Sequence, residues 1–484
     1  MNCFLNNKAR SALLTDFCQF GMASGAMGGD IASRTAYFDL VYRDIPDGGG
    51  FIVSAGLSQL IDYLRNLKFT DEDIDYLRST QSFSEDFLNY LKNFKFTCSV
   101  WAVPEGTPVF PFEPVITVKG PLIEAQFIEA ALLMMINYQS LIATKAARIV
   151  RAADGREVYE FGTKRAHEAS AAVYGARAAF IGGCNATSDV VASKEFGIPA
   201  FSTMTHSLVQ AFDSEYEAFK YYATQFPNNC VLLVDTYSTV KSGVPNAIRV
   251  FDEVLKPMGV RPKGIRIDSG DMTYLSKKAR RMLDEAGYAD CQITVSNSVN
   301  EDIIRDMLIQ GAPVDSFAVG EQLITAASCP CLNGVYKLSA VEEKGEIIPR
   351  IKISDNTGKI TTPGSKTVWR LFDREVGKAI ADVVTLSTEE IDQNAPYELF
   401  DPIHTWKRKT VDNFVARRLL QPIFVNGQCV YSSPTLPEIQ SYCHSQISSL
   451  WEEVTRFENP HHYYVDMSEK LWNLRHELLT EFSE

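Results

Sequence analysis

VYEFGTKR (158–165), AAFIGGCNATS (178–188), PAFSTMTHS (199–207), CVLLVDTYS (230–238), GIRIDSGD (264–271), QITVSNS (292–298) and DSFAVGEQ (315–322) follow one another along the chain with helical patterns between them. Each opens on a short apolar or β-branched run and closes in a polar or glycine-rich cluster. Short apolar runs bounded by turn residues read as buried strands, and the stretches between them as helices. The starts recur every twenty to thirty-odd residues, the length of a βα unit. Seven units, with an eighth at GVYKLSAV (334–341), predict a closed or nearly closed (β/α) barrel. An open doubly wound sheet produces the same alternation, and the number of repeats favours the barrel.

Outward from this block, residues 121–150 (…EAQFIEAALLMMINYQSLIATKAARIV) carry a long helical pattern with no proline inside it, a helix joining two parts. Residues 1–120 mix helix and strand. FTCSVWAV (96–103) alternates and stops at Pro104, and Gly48-Gly49-Gly50 reads as a tight turn. After 350, IPRIKISDNTGKITTPGSKTVWRLFD (348–373) reads as strands and turns with a basic tint, followed by a largely helical C-terminus. The chain is therefore expected to be an α/β protein. The barrel takes 121–349, and a second α/β domain is built from 1–120 plus about 350–484.

Composition narrows the class. Forty-seven Lys and Arg against 60 Asp and Glu give a net charge of −13, with 45% hydrophobic, 22% charged and 11% aromatic residues. These values are globular. The acidic excess repels phosphate backbones, so no nucleic-acid partner is expected, while a small phosphorylated substrate needs only a local cluster of cations. The ten cysteines form no CxxC pair, and Cys329-x-Cys331 has no second half nearby. Free thiols in a reducing compartment are the expectation. MNCFLNNKARSALLTDF lacks the apolar core of a leader, and the most apolar stretch, 127–136, is short and carries Glu129. A cytoplasmic protein with no membrane partner is predicted.

In a barrel, all seven polar clusters fall on the C-terminal face, where such folds build their sites. They bring cations (Lys164, Arg165, Arg266), carboxylates (Asp235, Asp268, Asp271), His206 and many small donors, a mouth suited to a phosphorylated anion with a divalent metal. Any single Asp, Ser, Thr or Asn among them is as well placed to cap the next helix. His206, among the hydroxyls of Thr203-Met204-Thr205-His206-Ser207, is either a hydrogen-bonded structural residue or a base or nucleophile. Arg266 can fork onto a phosphate or carboxylate, while Asp268 and Asp271 hold ribose hydroxyls or metal. Gly320 and Glu321 lie after the seventh strand, the usual place of a barrel's phosphate site.

The chain also resembles the nicotinate phosphoribosyltransferases. The likeness runs from Leu14-Thr15-Asp16 to VDMSEKLWNLRHELL through GPLIEAQ, LIATKAARI, EFGTKRA, YGARAAFIGG, RIDSGD, VGEQLIT, GVYKL and PGSKTVWRLFD, in that order. It implies an irregular α/β barrel with a second domain from both termini, in homodimers whose sites draw on both subunits. It also implies ATP-coupled, ligase-type transfer of phosphoribosyl from phosphoribosyl pyrophosphate to nicotinate, giving nicotinate mononucleotide in NAD salvage, with ATP as co-substrate and Mg2+ as metal. His206 then becomes a transiently phosphorylated histidine and, with Asp268, catalytic. Phe161 stacks on the pyridine ring. Thr203 and Arg266 contact nicotinate, and Lys164, Arg165 and Lys337 stabilise the departing pyrophosphate. Ser296 and Asn297 bind substrate, Gly320 and Glu321 form the 5′-phosphate loop, and Asp271 serves the metal.

Three departures stand out. Cys18 replaces a Tyr that stacks on the base from the neighbouring subunit, Ser202 and Thr205 alter the motif around His206, and Asn185-Ala186 replaces Asp-Gly. A thiol offers no ring face, so weaker or altered base binding is expected. The rivals are a nicotinamide phosphoribosyltransferase, which would favour an acidic residue where Thr203, Met204 and Thr205 stand, and a non-catalytic relative, favoured by Cys18 and opposed by His206, Arg266, Asp268 and Lys337.

Overall fold

Six of the seven units become strands of one parallel sheet, ordered Ala186–Thr187, Glu157–Glu160, Ser316–Val319, Gln292–Ser296, Gly264–Ile267 and Val231–Leu233. The computed structural model describes residues 12–27, 29 and 31–482. Cys3 and most of the N-terminal stretch expected to lack a leader lie outside these residues. The strands are short and apolar because both faces are covered. Leu232, Ile265, Ile293 and Phe317 have no exposed surface, and full burial of such side chains stabilises by about 1.5–3 kcal/mol each.

The remaining unit, PAFSTMTHS, makes only a single-residue parallel bridge, Ala200 to Thr187. Pro199 has no N–H to give a longer ladder. The segment touches both edges of the sheet all the same. Beyond Ala200, Thr203 accepts from Arg266 and His206 meets Thr236, which follows the strand Val231–Leu233 at the opposite edge. Side chains rather than a backbone ladder thus join the two edges among the described residues.

The chain divides into two compact units. One is 145–330, and the other comprises the segments on either side, up to Thr144 and from Cys331. These limits differ from the expected cuts after 120 and 349. The upstream limit falls inside the helix Glu129–Ala152. Downstream, GVYKLSAV is not an eighth barrel unit. Its strand, Gly334–Glu343, pairs antiparallel with Thr35–Tyr42 in a seven-stranded antiparallel sheet of the second unit. The apolar run before a turn looked like another βα repeat, but the pairing partner lies some three hundred residues upstream. The largely helical C-terminus is also corrected. Strands Ala379–Leu386, Tyr397–Phe400, Arg408–Val411, Phe414–Arg418 and Gln421–Val425 precede the helices Leu436–Ser448 and Glu469–Glu481. Val-, Ile- and Phe-rich alternation in 379–425 carried that signal. Among the described residues no helix is long and apolar enough to cross a membrane.

Candidate active site

Strands running parallel deliver their C-terminal residues to one edge of the sheet. At that edge of the 145–330 unit Arg266 is the hub. Its Nε donates to Ser296 Oγ at 2.7 Å, Nη1 to Thr203 Oγ1 at 2.9 Å and Nη2 to Asp268 Oδ1 at 2.6 Å. The guanidinium also lies over the Phe161 ring, 5.5 Å from its centroid. Three of its five N–H donors are committed to holding neighbours, and its side chain is 15% exposed, so it is a shielded cation at the rim of an open site. Ser296 Oγ donates a further, short bond to Asp268 Oδ1.

Asp268 is also held through its backbone. Its backbone N–H donates to Asp235 Oδ2 at 2.9 Å, and Asn297 Nδ2 donates to its carbonyl at 3.0 Å. Asn297 sits at φ 70°, a left-handed conformation that Asn tolerates better than most residues and that clusters at functional sites. The second carboxylate oxygen of Asp268 faces His206 Nε2 at 3.6 Å. That separation is too long for a hydrogen bond.

His206 opens the short helix His206–Gln210, which Thr205 caps from its side chain to Leu208 N–H. Its Nδ1 lies 3.1 Å from Thr236 Oγ1. The imidazole is therefore hydrogen-bonded at Nδ1 by a hydroxyl and faces a carboxylate at Nε2, and 40% of the side chain remains open to solvent. A ring oriented on one side by a carboxylate is the arrangement that activates a histidine as base or nucleophile.

Around this group stand the other expected residues of the unit. Lys164 and Arg165 are exposed in the single 3-10 turn Thr163–Arg165 that follows Phe161. Arg165 pairs loosely with Glu321 at 3.8 Å. Gly320 precedes the turn Glu321–Ile324, and a Cβ placed on it would approach the Phe161 carbonyl to 3.0 Å, so the two loops meet backbone to backbone. Asp271 caps the helix Met272–Glu285 through Oδ1 to Tyr274 N–H at 2.9 Å and is otherwise an exposed carboxylate.

Thr236 was not singled out from the sequence, and Asp235 was named there only among the strand-end carboxylates. Thr236 fixes His206, and Asp235 fixes the Asp268 turn, accepting also from Ser269 Oγ at 2.6 Å. Asp235 Oδ1 is buried without a hydrogen-bond partner among the described residues. The available signal was an Asp-Thr pair directly after VLLV, at the end of a buried strand. Lys337 and Cys18 belong to the other unit. Lys337 is held on its strand by Glu129 Oε1 at 3.3 Å and the Tyr336 carbonyl at 2.8 Å, and Cys18 is exposed on the helix Phe17–Ala26.

The models for the nicotinate phosphoribosyltransferase N-terminal and C-terminal domains match residues 13–137 and 365–475. A nicotinate phosphoribosyltransferase of Bacillus subtilis (strain 168) is 46% identical over 464 residues, covering 96% of this chain and 94% of that protein. The chain belongs to the nicotinate phosphoribosyltransferase family. A Mycobacterium tuberculosis nicotinate phosphoribosyltransferase is 38% identical, over 95% of this chain and 92% of its own length. The crystal structure of human nicotinic acid phosphoribosyltransferase superposes with a TM-score of 0.86 at 28% identity, over 96% of this chain and 99% of that one. For a nicotinate phosphoribosyltransferase, the ring of polar residues around Arg266 occupies the face where a parallel α/β sheet ordinarily binds ligand.

Proposed function

We propose that this family member transfers phosphoribosyl from phosphoribosyl pyrophosphate to nicotinate, coupled to ATP hydrolysis, with the site around Arg266 as its catalytic centre. The observation that carries the reading is the seating of His206 between Thr236 Oγ1 and Asp268 Oδ2, one bond from the Arg266 hub. In the neutral imidazole one nitrogen carries the proton and the other keeps its lone pair. That nitrogen attacks the terminal phosphorus of ATP, the N–P bond forms as the P–O bond to ADP breaks, and Asp268 balances the positive charge on the ring.

In the transfer itself, the nicotinate ring nitrogen bonds to the anomeric carbon of ribose as the bond from that carbon to pyrophosphate breaks. Phe161 supplies a face for the pyridine ring. Arg266, already turned toward Thr203, supplies the charge for the carboxylate. Ser296 and Asn297 border the sugar beside Asp268, Lys164 and Arg165 take the pyrophosphate charge, and the N–H groups at Gly320 and Glu321 take the 5′-phosphate.

Magnesium suits this donor set in one respect. The buried, unpartnered Asp235 Oδ1 and the exposed Asp271 are hard oxygen ligands, and Mg2+ ordinarily takes one or two carboxylates with phosphate oxygens and water. No group of three or more His, Cys, Asp or Glu that could hold a metal occurs among the described residues, so the phosphates and water would complete the shell. Bound there, the ion would neutralise charge on the leaving pyrophosphate. The reading also takes the protein to be a cytoplasmic homodimer. Cys18 would face the partner's base, and the exposed Phe17 beside it on the same helix is available to such an interface.

Purified protein incubated with ATP, phosphoribosyl pyrophosphate, magnesium and nicotinate should give nicotinate mononucleotide and ADP. A parallel reaction with nicotinamide should give far less. Product from nicotinamide alone, or from neither base, overturns the reading.

A further inference from the structure

Glu160 closes the strand Glu157–Glu160, one residue before Phe161, and is 1% exposed. Nothing in the reaction uses its carboxylate, yet the loop that carries Phe161, Lys164 and Arg165 is built around it. One oxygen accepts from Gly162 N–H and the other from Thr187 Oγ1 at 2.6 Å. Thr187 Oγ1 in turn accepts from Asp189 N–H at 2.9 Å, and the Asp189 carboxylate, itself buried, accepts from Thr163 Oγ1 at 3.3 Å. The chain of bonds leaves the loop at Gly162 and returns to it at Thr163. Gly162 has no room for a side chain, since a Cβ there would meet Glu160 Oε1 at 2.6 Å and Ile324 Cβ at 2.4 Å.

The far end of the same loop is strained. Glu168 has φ 107° and ψ 165°, a region that is essentially glycine's alone and that persists only where the surroundings enforce it. Surface loops do not ordinarily bury two carboxylates to hold their shape, because each costs desolvation free energy. We infer that Glu160, acting through Thr187 and Asp189, is a positioning residue that sets the Phe161–Arg165 loop for the base and the pyrophosphate. The role rests on the function proposed above. It separates the site into two halves, a loop half held by Glu160 and a histidine half held by Thr236 and Asp268.

Thr187→Val keeps the shape of the side chain and removes the hydroxyl that links Glu160 to Asp189; Thr187→Ser restores it. Glu160→Ala leaves a buried cavity and risks the fold, so the threonine pair carries the test. In the Val variant the KM values for nicotinate and phosphoribosyl pyrophosphate should rise roughly tenfold or more, as misplacement of a substrate-positioning group does. Labelling of His206 by γ-labelled ATP should stay near wild type, and the Ser variant should recover both KM values. Unchanged KM values, or a fall in histidine labelling and thermal midpoint together with the rise in KM, overturn the inference. A wild-type protein that makes no mononucleotide sinks the proposed function instead, which the wild-type assay reveals before any variant is compared.

Discussion

Arg266–Asp268 in the 145–330 unit and Arg370–Asp382 in the other are the same chemical pair, a guanidinium and a carboxylate 2.6 Å apart. They do opposite things. Arg370 and Asp382 have no exposed side-chain surface. Nε and Nη2 grip the two carboxylate oxygens at 2.7 and 2.6 Å, Nη2 also donates to the Pro108 carbonyl, and Tyr463 donates to Asp382 at 3.0 Å. The Phe110 and Tyr463 rings flank the guanidinium at 5.4 and 5.8 Å. Burial beside Asp382 pushes the Glu113 carboxyl well above its usual range. Both side chains lie wholly inside the protein, and the pair is architecture. Arg266 grips only one oxygen of Asp268 and spreads its other donors over Ser296 and Thr203, and Asp268 turns its free oxygen to a solvent-open imidazole. An ion pair closed on all sides holds a fold, and one left open on a side can hold a reacting group.

This contrast can be broken at either end. Arg370→Met should leave Asp382 buried without its countercharge and destabilise the protein by about 3–5 kcal/mol, read in urea unfolding. Activity per folded molecule should stay near wild type, and adding Asp382→Leu should recover much of the loss. Asp268→Asn should do the reverse, with a fall in kcat/KM of roughly a hundred- to a thousandfold, about 3–4 kcal/mol, and a thermal midpoint close to wild type. If Asp268→Asn unfolds the protein instead, the open pair is architecture too.

Glu160 lies between the two cases, buried yet beside the site. Burial raises its carboxyl from the ordinary 4.5 to about 7, opposed by its bonds from Thr187 and Gly162 and helped by the charge of Asp189. The folded protein thus keeps a proton that the unfolded chain has released. The resulting stabilisation is complete below pH 4.5 and is lost as pH rises through about 7, about 3 kcal/mol in all. Glu160→Gln should flatten that part of the stability profile, measured by denaturation between pH 5 and pH 8. The smallest effect is expected at Thr236→Val, which removes one neutral hydrogen bond to His206. Stability should fall by about 1 kcal/mol or less, while the rate of histidine labelling by ATP drops more steeply than the stability. Labelling at the wild-type rate would remove Thr236 from the site.

Much of this was legible because the strand ends of a parallel sheet are both a sequence pattern and a place. Seven apolar runs ending in polar clusters located Thr203, His206, Arg266, Asp268 and Ser296 on one edge. The same pattern misassigned GVYKLSAV, since an apolar run before a turn does not say which strand it will pair with. It also passed over Thr236, whose role is visible only once the 200–206 segment crosses to the far edge of the sheet.

By itself, then, the sequence determined the βα repeat, the residue types at each strand end and the family. These depend on local periodicity and on motifs whose spacing is set by single turns. The tertiary structure decided which charges stay open. Arg-x-Asp at 266–268 and an Arg and an Asp twelve residues apart at 370 and 382 are equally plausible ion pairs in the sequence. Only the packing of Phe110 and Tyr463 around the one, and the approach of His206 to the other, separates structure from chemistry, because desolvation and access to solvent come from residues distant in the chain.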